Sequence, residues 1–303
     1  MVDSVVTQPV QLSERVYYLP GAVNMALVVG PDKEAVLVDT GGDNDAGRRL
    51  KRACEALAVR PVAVLNTHAH ADHYGGNAFL ARNLSLPVYA PPFEASIMAS
   101  PYLEPVYLSN GAKPPPELLS KWLLAKTSPV DHLLTPGRLE LAGLEFELLD
   151  TSGHAHTHYA VLVDGVLLAA DAVFGVSALE RYPIPFGQDV GAQRASAARV
   201  AEAGARVVLP GHGDPVGGEA IRQLVEANLA AFDNAAEAVA AACTGVNTAG
   251  VLKGACGALS LEMTDLPRYY LNLCVVSAYL SFLRETGRVR LELSENDLRW
   301  RAA

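Results

Sequence analysis

The chain has 303 residues, of which 50% are hydrophobic, enough for one large domain with a substantial core or for a domain with an appendage. A formal net charge of −9 and a pI of about 5.4 disfavour broad electrostatic attraction to nucleic acid or anionic membranes. The four cysteines show no C-x-x-C spacing and indicate thiols in a reducing compartment.

Two segments bear on localisation. The first fifteen residues contain no long apolar stretch, so the sequence predicts no secretory signal. The longest uncharged apolar run, at 269–283, is too short and too polar to span a bilayer. We therefore expect a cytoplasmic protein without a membrane partner.

The predicted elements alternate between strands and helices in the first 215 residues. Strands are predicted at 16–19, 25–29, 35–38, 61–65, 87–90, 139–141, 144–149, 159–163, 166–170 and 207–208, and helices at 46–57, 78–83 and 191–203. A proline-rich, largely apolar insertion at 91–130 interrupts this order. It predicts a pocket wall, a subunit contact or an excursion packed on its own domain.

The remaining residues, 216–303, have a different character and define a second, helical subdomain. Helices are predicted at 219–243, 247–259 and 266–286, followed by an alternating hairpin near the end of the chain. This order is similar to a winged-helix module. The last twenty residues hold arginines and acids in nearly equal number, so we expect a cap or a dimer contact and no nucleic-acid partner.

Three histidines and an aspartate lie within six residues directly after the strand predicted at 61–65. His68 and His70 are two residues apart, so in an extended backbone they point the same way and can bind one ion. Asp72 and His73 follow where the chain turns, and can face a second ion. Imidazole and carboxylate groups are suitable ligands for zinc, iron or manganese.

Further candidate ligands follow other β-like runs. They are His154, His156 and His158 in one loop, Asp171 after the strand at 166–170, and His212 after the strand at 207–208. In layered α/β folds, site residues tend to lie at strand ends. Of the eight histidines, only His132 lies outside these clusters, and we interpret it as structural.

The order of these segments resembles the metallo-β-lactamase superfamily, whose pattern is His-x-His-x-Asp-His, then a histidine, a bridging aspartate and a last histidine. An early aspartate on a strand also belongs to the pattern, and Asp39 matches it. The resemblance extends from about residue 16 to 215. It implies the α/β (α+β) class and a four-layer αβ/βα sandwich, here with a helical, winged-helix-like C-terminal appendage.

The resemblance also implies roles for individual residues. The first metal would be held by His68, His70 and His154, and the second by Asp72, His73 and His212, with Asp171 bridging the two. Asp39 would orient a ligand. His158 is expected to be a supporting hydrogen-bond donor, while His156 has no counterpart in the pattern. Two divalent ions are implied, zinc being expected and iron or manganese alternatives.

Such a centre predicts hydrolysis by a metal-bridging hydroxide, with Asp72 placed to take or return a proton. In antibiotic-hydrolysing members the corresponding ligand position resembles a cysteine, whereas this chain has Asp171 there. The pattern of diiron members is similar but has a glutamate where this chain has Ala69. Glyoxalase II has a similar ligand set, but residues 172–176 lack its basic glutathione-binding pattern. We therefore expect a small ester, thioester or lactone as substrate.

Three other functions remain open at this point. Superfamily members with similar winged-helix tails include enzymes that act on RNA, which implies an endoribonuclease or phosphodiesterase. A mononuclear iron persulfide dioxygenase resembles the same ligand set with one metal position unused. A non-enzymatic metal-binding protein is the last alternative. A homodimer is also open.

Overall fold

The computed structural model describes residues 8–303, in which two β-sheets pack face to face with helices on both outer sides. The first sheet has its strands in sequence order: β1 (Val10–Gln11), β2 (Val16–Leu19), β3 (Met25–Val29), β4 (Glu34–Val38), β5 (Arg60–Leu65), β6 (Val88–Ala90) and β7 (His132–Leu133). Strands β1 to β4 pair antiparallel, and β4 to β7 pair parallel.

The second sheet follows the order β13-β12-β11-β10-β9-β8. Its strands are β8 (Gly137–Leu141), β9 (Leu144–Asp150), β10 (Tyr159–Val163), β11 (Val166–Ala170), β12 (Val207–Pro210) and β13 (Val216–Gly217). Two tight hairpins join β8 to β9 and β10 to β11, while β11 and β12 are parallel. A third, small sheet in the order β14-β16-β15 contains β14 (Thr244–Val246), β15 (Val289–Ser294) and β16 (Asp297–Ala302).

The helices cover the outer faces of the two large sheets. They are α1 (Asn44–Ala56), α2 (Ala71–Tyr74), α3 (Asn77–Leu84), α4 (Pro92–Ala99), α5 (Leu103–Leu108), α6 (Val176–Arg181), α7 (Val190–Glu202), α8 (Glu219–Ala241), α9 (Thr248–Ala258) and α10 (Leu266–Glu285). Aspartates cap three of these helices: Asp43 accepts hydrogen bonds from the first turn of α1, Asp189 does so for α7, and Asp265 for α10.

Side-chain alternation explains the layering. In β3, Val28 points between the sheets, where it packs with residues such as Phe146 and Val161 of the second sheet. The neighbouring Leu27 points outward and packs with Leu50 of α1. The strands are therefore apolar on both faces, as expected for sheets covered on both sides. The predicted four-layer αβ/βα sandwich is confirmed.

The insertion at 91–130 packs on its own chain. Met98 of α4 is fully buried in the cluster that covers the first sheet. Leu108, Leu118 and Leu123 form a separate cluster with residues of α10, including Leu271. The insertion therefore connects the first sheet to the C-terminal helices.

The C-terminal helices share one core with the second sheet. Phe232 of α8 and Tyr279 of α10 are buried in the same cluster as Leu167 of β11 and Val208 of β12. The predicted terminal hairpin is present as β15 and β16, which pair along their whole length. The division into residues 1–215 and 216–303 stays a prediction.

Two of our expectations concern leader and membrane-spanning segments. The predicted absence of a secretory signal concerns the first fifteen residues, of which residues 1–7 lie outside the described part. Across residues 8–303, no helix combines the length and apolar character needed to cross a membrane.

Phe232 provides a test of the shared core, because its side chain is only 1% exposed. Replacing it with alanine leaves a cavity, so Phe232→Ala should lower the free energy of unfolding by about 3–5 kcal/mol. The measurement is chemical denaturation of the chelator-treated protein. Leu293→Ala is the control, since Leu293 is 73% exposed and should change stability by less than about 0.5 kcal/mol. Equal effects of the two substitutions would show that α8 is not part of the core.

Candidate metal centre

The predicted ligands meet at one edge of the sandwich, where strands of both sheets end. Asp39 follows β4, the motif at 67–73 follows β5, Asp171 follows β11, and His212 lies in the turn after β12. His154 lies in the loop between β9 and β10. The two sheets therefore contribute ligands from separate segments to one small volume.

The motif begins after strand β5 has ended at Leu65. His68 and His70 lie outside the regular elements, and the backbone of His70 is extended, with φ −73° and ψ 142°. Asp72 and His73 belong to the short helix α2, so the chain turns there as expected. The argument that His68 and His70 point the same way because they are two residues apart stays a prediction.

The first group consists of His68, His70 and His154. The Nδ1 atom of His70 lies 3.1 Å from Nε2 of His68 and 2.9 Å from Nε2 of His154. Nitrogen ligands around a tetrahedral zinc ion, each at about 2.0–2.1 Å from the metal, are separated by about 3.3 Å. The three ring nitrogens therefore have nearly the spacing of ligands around one ion.

The second group consists of Asp72, His73 and His212, whose candidate ligand atoms all lie within 4.8 Å of one another. Nε2 of His212 is 3.5 Å from Oδ2 of Asp72. The first group is buried except for the half-buried His70, whereas only His73 of the second group is buried. The second group is thus the one more accessible from outside.

Asp171 lies between the two groups and is only 3% exposed. Its Oδ2 is 3.2 Å from Nε2 of His154 and 3.5 Å from Nε2 of His212. Its Oδ1 is 3.3 Å from Nε2 of His73. One carboxylate therefore contacts a histidine of the first group and two of the second, the arrangement that a bridging ligand requires.

Four histidines have their Nδ1 atoms engaged as donors, which directs each Nε2 atom into the centre. His68 donates to Thr67 Oγ1 at 3.0 Å, and His73 donates to Asp39 Oδ2 at 2.8 Å. His154 donates to the carbonyl oxygen of Phe186 at 3.1 Å, and His212 donates to that of Ala22 at 2.8 Å. The tautomers suited to metal binding therefore follow from the surrounding hydrogen bonds.

Two buried polar atoms of the described residues, His73 Nε2 and Asp171 Oδ1, lie 3.3 Å apart at the centre, but the geometry makes neither a hydrogen bond to the other nor one to another group. An unpaired buried polar atom is unfavourable, so such atoms call for a ligand. Both belong to the predicted ligand set. The donor atoms present thus fit a pair of divalent cations.

The electrostatics of the site also fit bound divalent cations. Burial lowers the pKa of His70 to about 4, so this imidazole is neutral and free to coordinate. Burial also lowers the pKa of His212, but the Asp171 carboxylate outweighs it and raises the pKa to about 9. Burial raises the pKa of Asp171, whereas the charges of His212 and His73 hold it well below its usual value. The carboxylates at this site attract positive charge, which bound cations would also supply.

His158 is directed away from the ion positions. Its Nε2 accepts the backbone N–H of Asp171 at 3.2 Å, and its Nδ1–H donates to Thr151 Oγ1 at 2.8 Å. The ring therefore holds the backbone of Asp171 in place. His156, in contrast, is exposed and packs against Phe93, with the ring centroids 4.2 Å apart and the ring planes tilted by 43°.

The turns that carry Asp171 and His212 are tightly packed. A Cβ atom at Gly211 would lie 2.2 Å from Asp171 Oδ1, so only glycine is accommodated there. Ala170 has a positive φ of 43°, a conformation that is unfavourable for a residue with a side chain. Backbone strain is thus concentrated beside the residue predicted to bridge the two groups.

The sequence profile of the metallo-beta-lactamase superfamily matches residues 18–212, nearly two thirds of the chain. The chain belongs to the metallo-beta-lactamase superfamily. It is similar to a hydroxyacylglutathione hydrolase from Xylella fastidiosa strain M12, with 29% identity over 49% of this chain and 45% of the relative. A probable metallo-hydrolase from Bacillus subtilis is 27% identical over 47% of this chain and 63% of that protein. The chain therefore spans about half the length of the curated relatives it matches.

Solved structures extend the similarity of fold to the whole chain. A metallo-beta-lactamase family protein from Thermus thermophilus has a TM-score of 0.72 and 26% identity, covering 97% of this chain and all of that one. A beta-lactamase domain protein from Burkholderia ambifaria has a TM-score of 0.71 at 19% identity, covering 99% and 94%. The predicted membership of this superfamily is confirmed. The roles of individual ligands stay predictions.

Several residues that support the centre were not found by sequence analysis. Asn24 donates its side-chain amide to the carbonyls of Pro210 and Gly213 on either side of His212, at 2.9 and 2.6 Å. Glu94 of the insertion contacts both ligand-bearing loops. Burial raises the pKa of Glu94 to about 7, and hydrogen bonds from Thr157 and Ala69 oppose that rise. An isolated asparagine or glutamate has no local pattern that would have signalled these contacts.

The three histidines of the loop at 154–158 should behave differently when replaced by alanine. We expect His154→Ala to lose metal, because it removes a ligand atom of the first group. His158→Ala should reduce activity through Asp171 with a smaller loss of metal, and His156→Ala should have little effect. Metal content by mass spectrometry and activity are the measurements. Equal metal loss from His156→Ala and His154→Ala would contradict this assignment.

Proposed function

We propose that this chain is a dinuclear metal-dependent hydrolase acting on a small ester, thioester or lactone. The observation that carries the proposal is the pair of ligand groups that share Asp171. A single-metal centre would need only one of these groups. Because a mononuclear iron dioxygenase resembles the same ligand set with one metal position unused, the number and identity of the bound ions distinguish it from the proposed hydrolase.

His68, His70 and His154 would hold one ion, and Asp72, His73 and His212 the other, with zinc expected and iron or manganese as alternatives. Bound divalent ions would lower the pKa of a water molecule and polarise the acyl oxygen of the substrate. Asp39 holds the His73 ring at 2.8 Å and accepts from Thr67, which in turn holds His68. One carboxylate thus orients a ligand of each group.

Asp72 is the candidate for proton transfer. Its side chain is 32% exposed, whereas that of Asp171 is 4% exposed, so Asp72 is the carboxylate that an incoming substrate can reach. When water adds to the acyl carbon and the bond to the leaving oxygen or sulfur breaks, Asp72 would take the proton of the water and return it to the leaving group.

The surroundings of the centre favour an uncharged, partly apolar substrate. The Phe186 ring lies 5.5 Å from the rings of both His70 and His154. Among the described residues, every ion pair of Asp39, Asp72 and Asp171 is with a histidine. Lysine and arginine, the residues that recognise phosphate, are not paired with these acids.

Stoichiometry tests the proposal directly. Protein purified without chelator should contain two metal ions per chain and hydrolyse at least one of a thioester, an ester and a lactone. Asp171→Ala should lower the content of both ions, and His132→Ala is the control because His132 is exposed and stacks on Tyr89 away from the ligands. One ion at full occupancy in a fully active protein would rule out the dinuclear centre.

A ribonuclease or phosphodiesterase is the second candidate, favoured by the winged-helix-like tail. The arginines of the terminal hairpin argue against it, because each lies against an acid. Their pairs are Arg288 with Glu237 at 2.8 Å, Arg290 with Glu292 at 2.9 Å, Arg299 with Asp297 at 2.7 Å and Arg301 with Glu292 at 2.7 Å. Their charge is thus largely compensated.

We therefore expect no salt-sensitive binding of single-stranded RNA, measured by fluorescence anisotropy over a range of salt concentrations. Binding through phosphate contacts would weaken steeply as salt rises. Micromolar binding that disappears when Arg288, Arg290, Arg299 and Arg301 are replaced by alanine would favour the ribonuclease.

Because the arginines of the terminal hairpin are compensated by acids, we propose a small-molecule substrate and no nucleic-acid or membrane partner. A homodimer stays a proposal, supported by exposed apolar residues of the insertion such as Trp122, which is 63% exposed.

A further inference from the structure

Glu94 is a buried carboxylate that the proposed chemistry does not use. It lies in α4, within the insertion, and is only 1% exposed. Its Oε2 accepts the backbone N–H of Ala69 at 3.0 Å. Its Oε1 accepts the backbone N–H of Thr157 at 3.1 Å and the hydroxyl of Thr157 at 3.3 Å. Three donors therefore converge on a carboxylate enclosed by protein.

The two partners of Glu94 belong to different halves of the sandwich. Ala69 is the residue between His68 and His70, in the loop that follows β5 of the first sheet. Thr157 lies three residues after His154, in the loop before β10 of the second sheet. Glu94 thus joins the two loops that together supply the first metal group.

We propose that Glu94 is a positioning residue that sets the separation of His70 from His154 and so organises the first metal group. This inference rests on the proposed function only in taking that group as a metal site. Glu94 itself does not touch the ligand rings. It acts through the backbones of the two loops, which belong to different sheets. The ring of His154 is oriented separately, by its hydrogen bond to the Phe186 carbonyl.

The physical basis is the directionality of the hydrogen bonds. A carboxylate accepts at both oxygens, so it can hold an N–H from each loop at the same time. A glutamine amide accepts at one oxygen only, and its NH₂ group would face a backbone N–H. Glu94→Gln therefore leaves one buried donor without a partner and lets the two loops separate. The second group has no such contact with Glu94, so it should respond much less.

Metal affinity is the direct measurement, made on the full-length protein by competition with a chromophoric zinc chelator. Replacing residues that support metal ligands typically weakens binding by about 10–100-fold. We expect Glu94→Gln to weaken the first ion by this factor and the second by much less. Glu94→Asp, which keeps both acceptor oxygens on a shorter side chain, should lie between wild type and Glu94→Gln. Hydrogen exchange of the Ala69 amide should accelerate in Glu94→Gln.

Glu117→Gln is the control. Glu117 belongs to the same insertion, is exposed and makes none of the hydrogen bonds to the ligand loops. It should leave the affinities of both ions unchanged. If Glu94→Gln bound both ions as the wild type does, or weakened both equally in step with lower stability of the metal-free protein, the positioning role would be wrong.

These results are separable from the test of activity. A wild-type protein that binds two ions but hydrolyses no ester, thioester or lactone would contradict the proposed function. The affinities of Glu94→Gln would still decide the role of Glu94. A wild-type protein that binds no ion at the first group would overturn both proposals.

Discussion

The contact between one buried carboxylate and three imidazoles is the interaction on which the rest of this structure depends. Asp171 lies within 3.2–3.5 Å of ring nitrogens of His73, His154 and His212. A buried carboxylate is tolerated only when positive charge or hydrogen-bond donors compensate it. Those three rings come from both sheets, so the sandwich has to align the ends of β5, β9 and β12 at a single edge. The packing of the two sheets and the geometry of the site therefore depend on each other, because a shift between the sheets would separate the Asp171 carboxylate from the three imidazoles.

The surrounding protein prepares each ligand individually. Nδ1 of each histidine that faces Asp171 is held by a different acceptor, which sets both tautomer and ring orientation. Hydrogen bonds from Asn24 hold the turn that carries His212, and a hydrogen bond to His158 holds the backbone of Asp171 itself. Two atoms, His73 Nε2 and Asp171 Oδ1, lie 3.3 Å apart and make no hydrogen bond. Hydrogen bonds therefore orient the ligand residues but do not satisfy His73 Nε2 and Asp171 Oδ1, as expected of a site that binds cations through these atoms.

The insertion and the C-terminal helices belong to the same frame. The helices α8 and α10 bury Phe232 and Tyr279 in the core of the second sheet, and α10 also packs against Leu118 of the insertion. The insertion in turn reaches the metal loops through Glu94. These contacts form one continuous path from the C-terminal helices, through the insertion, to the loops that carry the candidate ligands. The arginines of the terminal hairpin are compensated by acids of the same chain.

The sequence by itself determined the family, the long helices and most strands of the two large sheets, and the set of candidate ligands. It could do so because strand alternation, helix periodicity and a cluster such as His68 to His73 are local patterns, legible from neighbouring residues. It did not predict the short helices α2, α4, α5 and α6 or the short strands β1, β7 and β13. The supporting contacts were decided only by the tertiary structure. Asn24 and its partner Pro210 are 186 residues apart, and Glu94 is 63 residues from Thr157. Contacts of this kind depend on which strand ends meet at one edge, and no local pattern of residues carries that information.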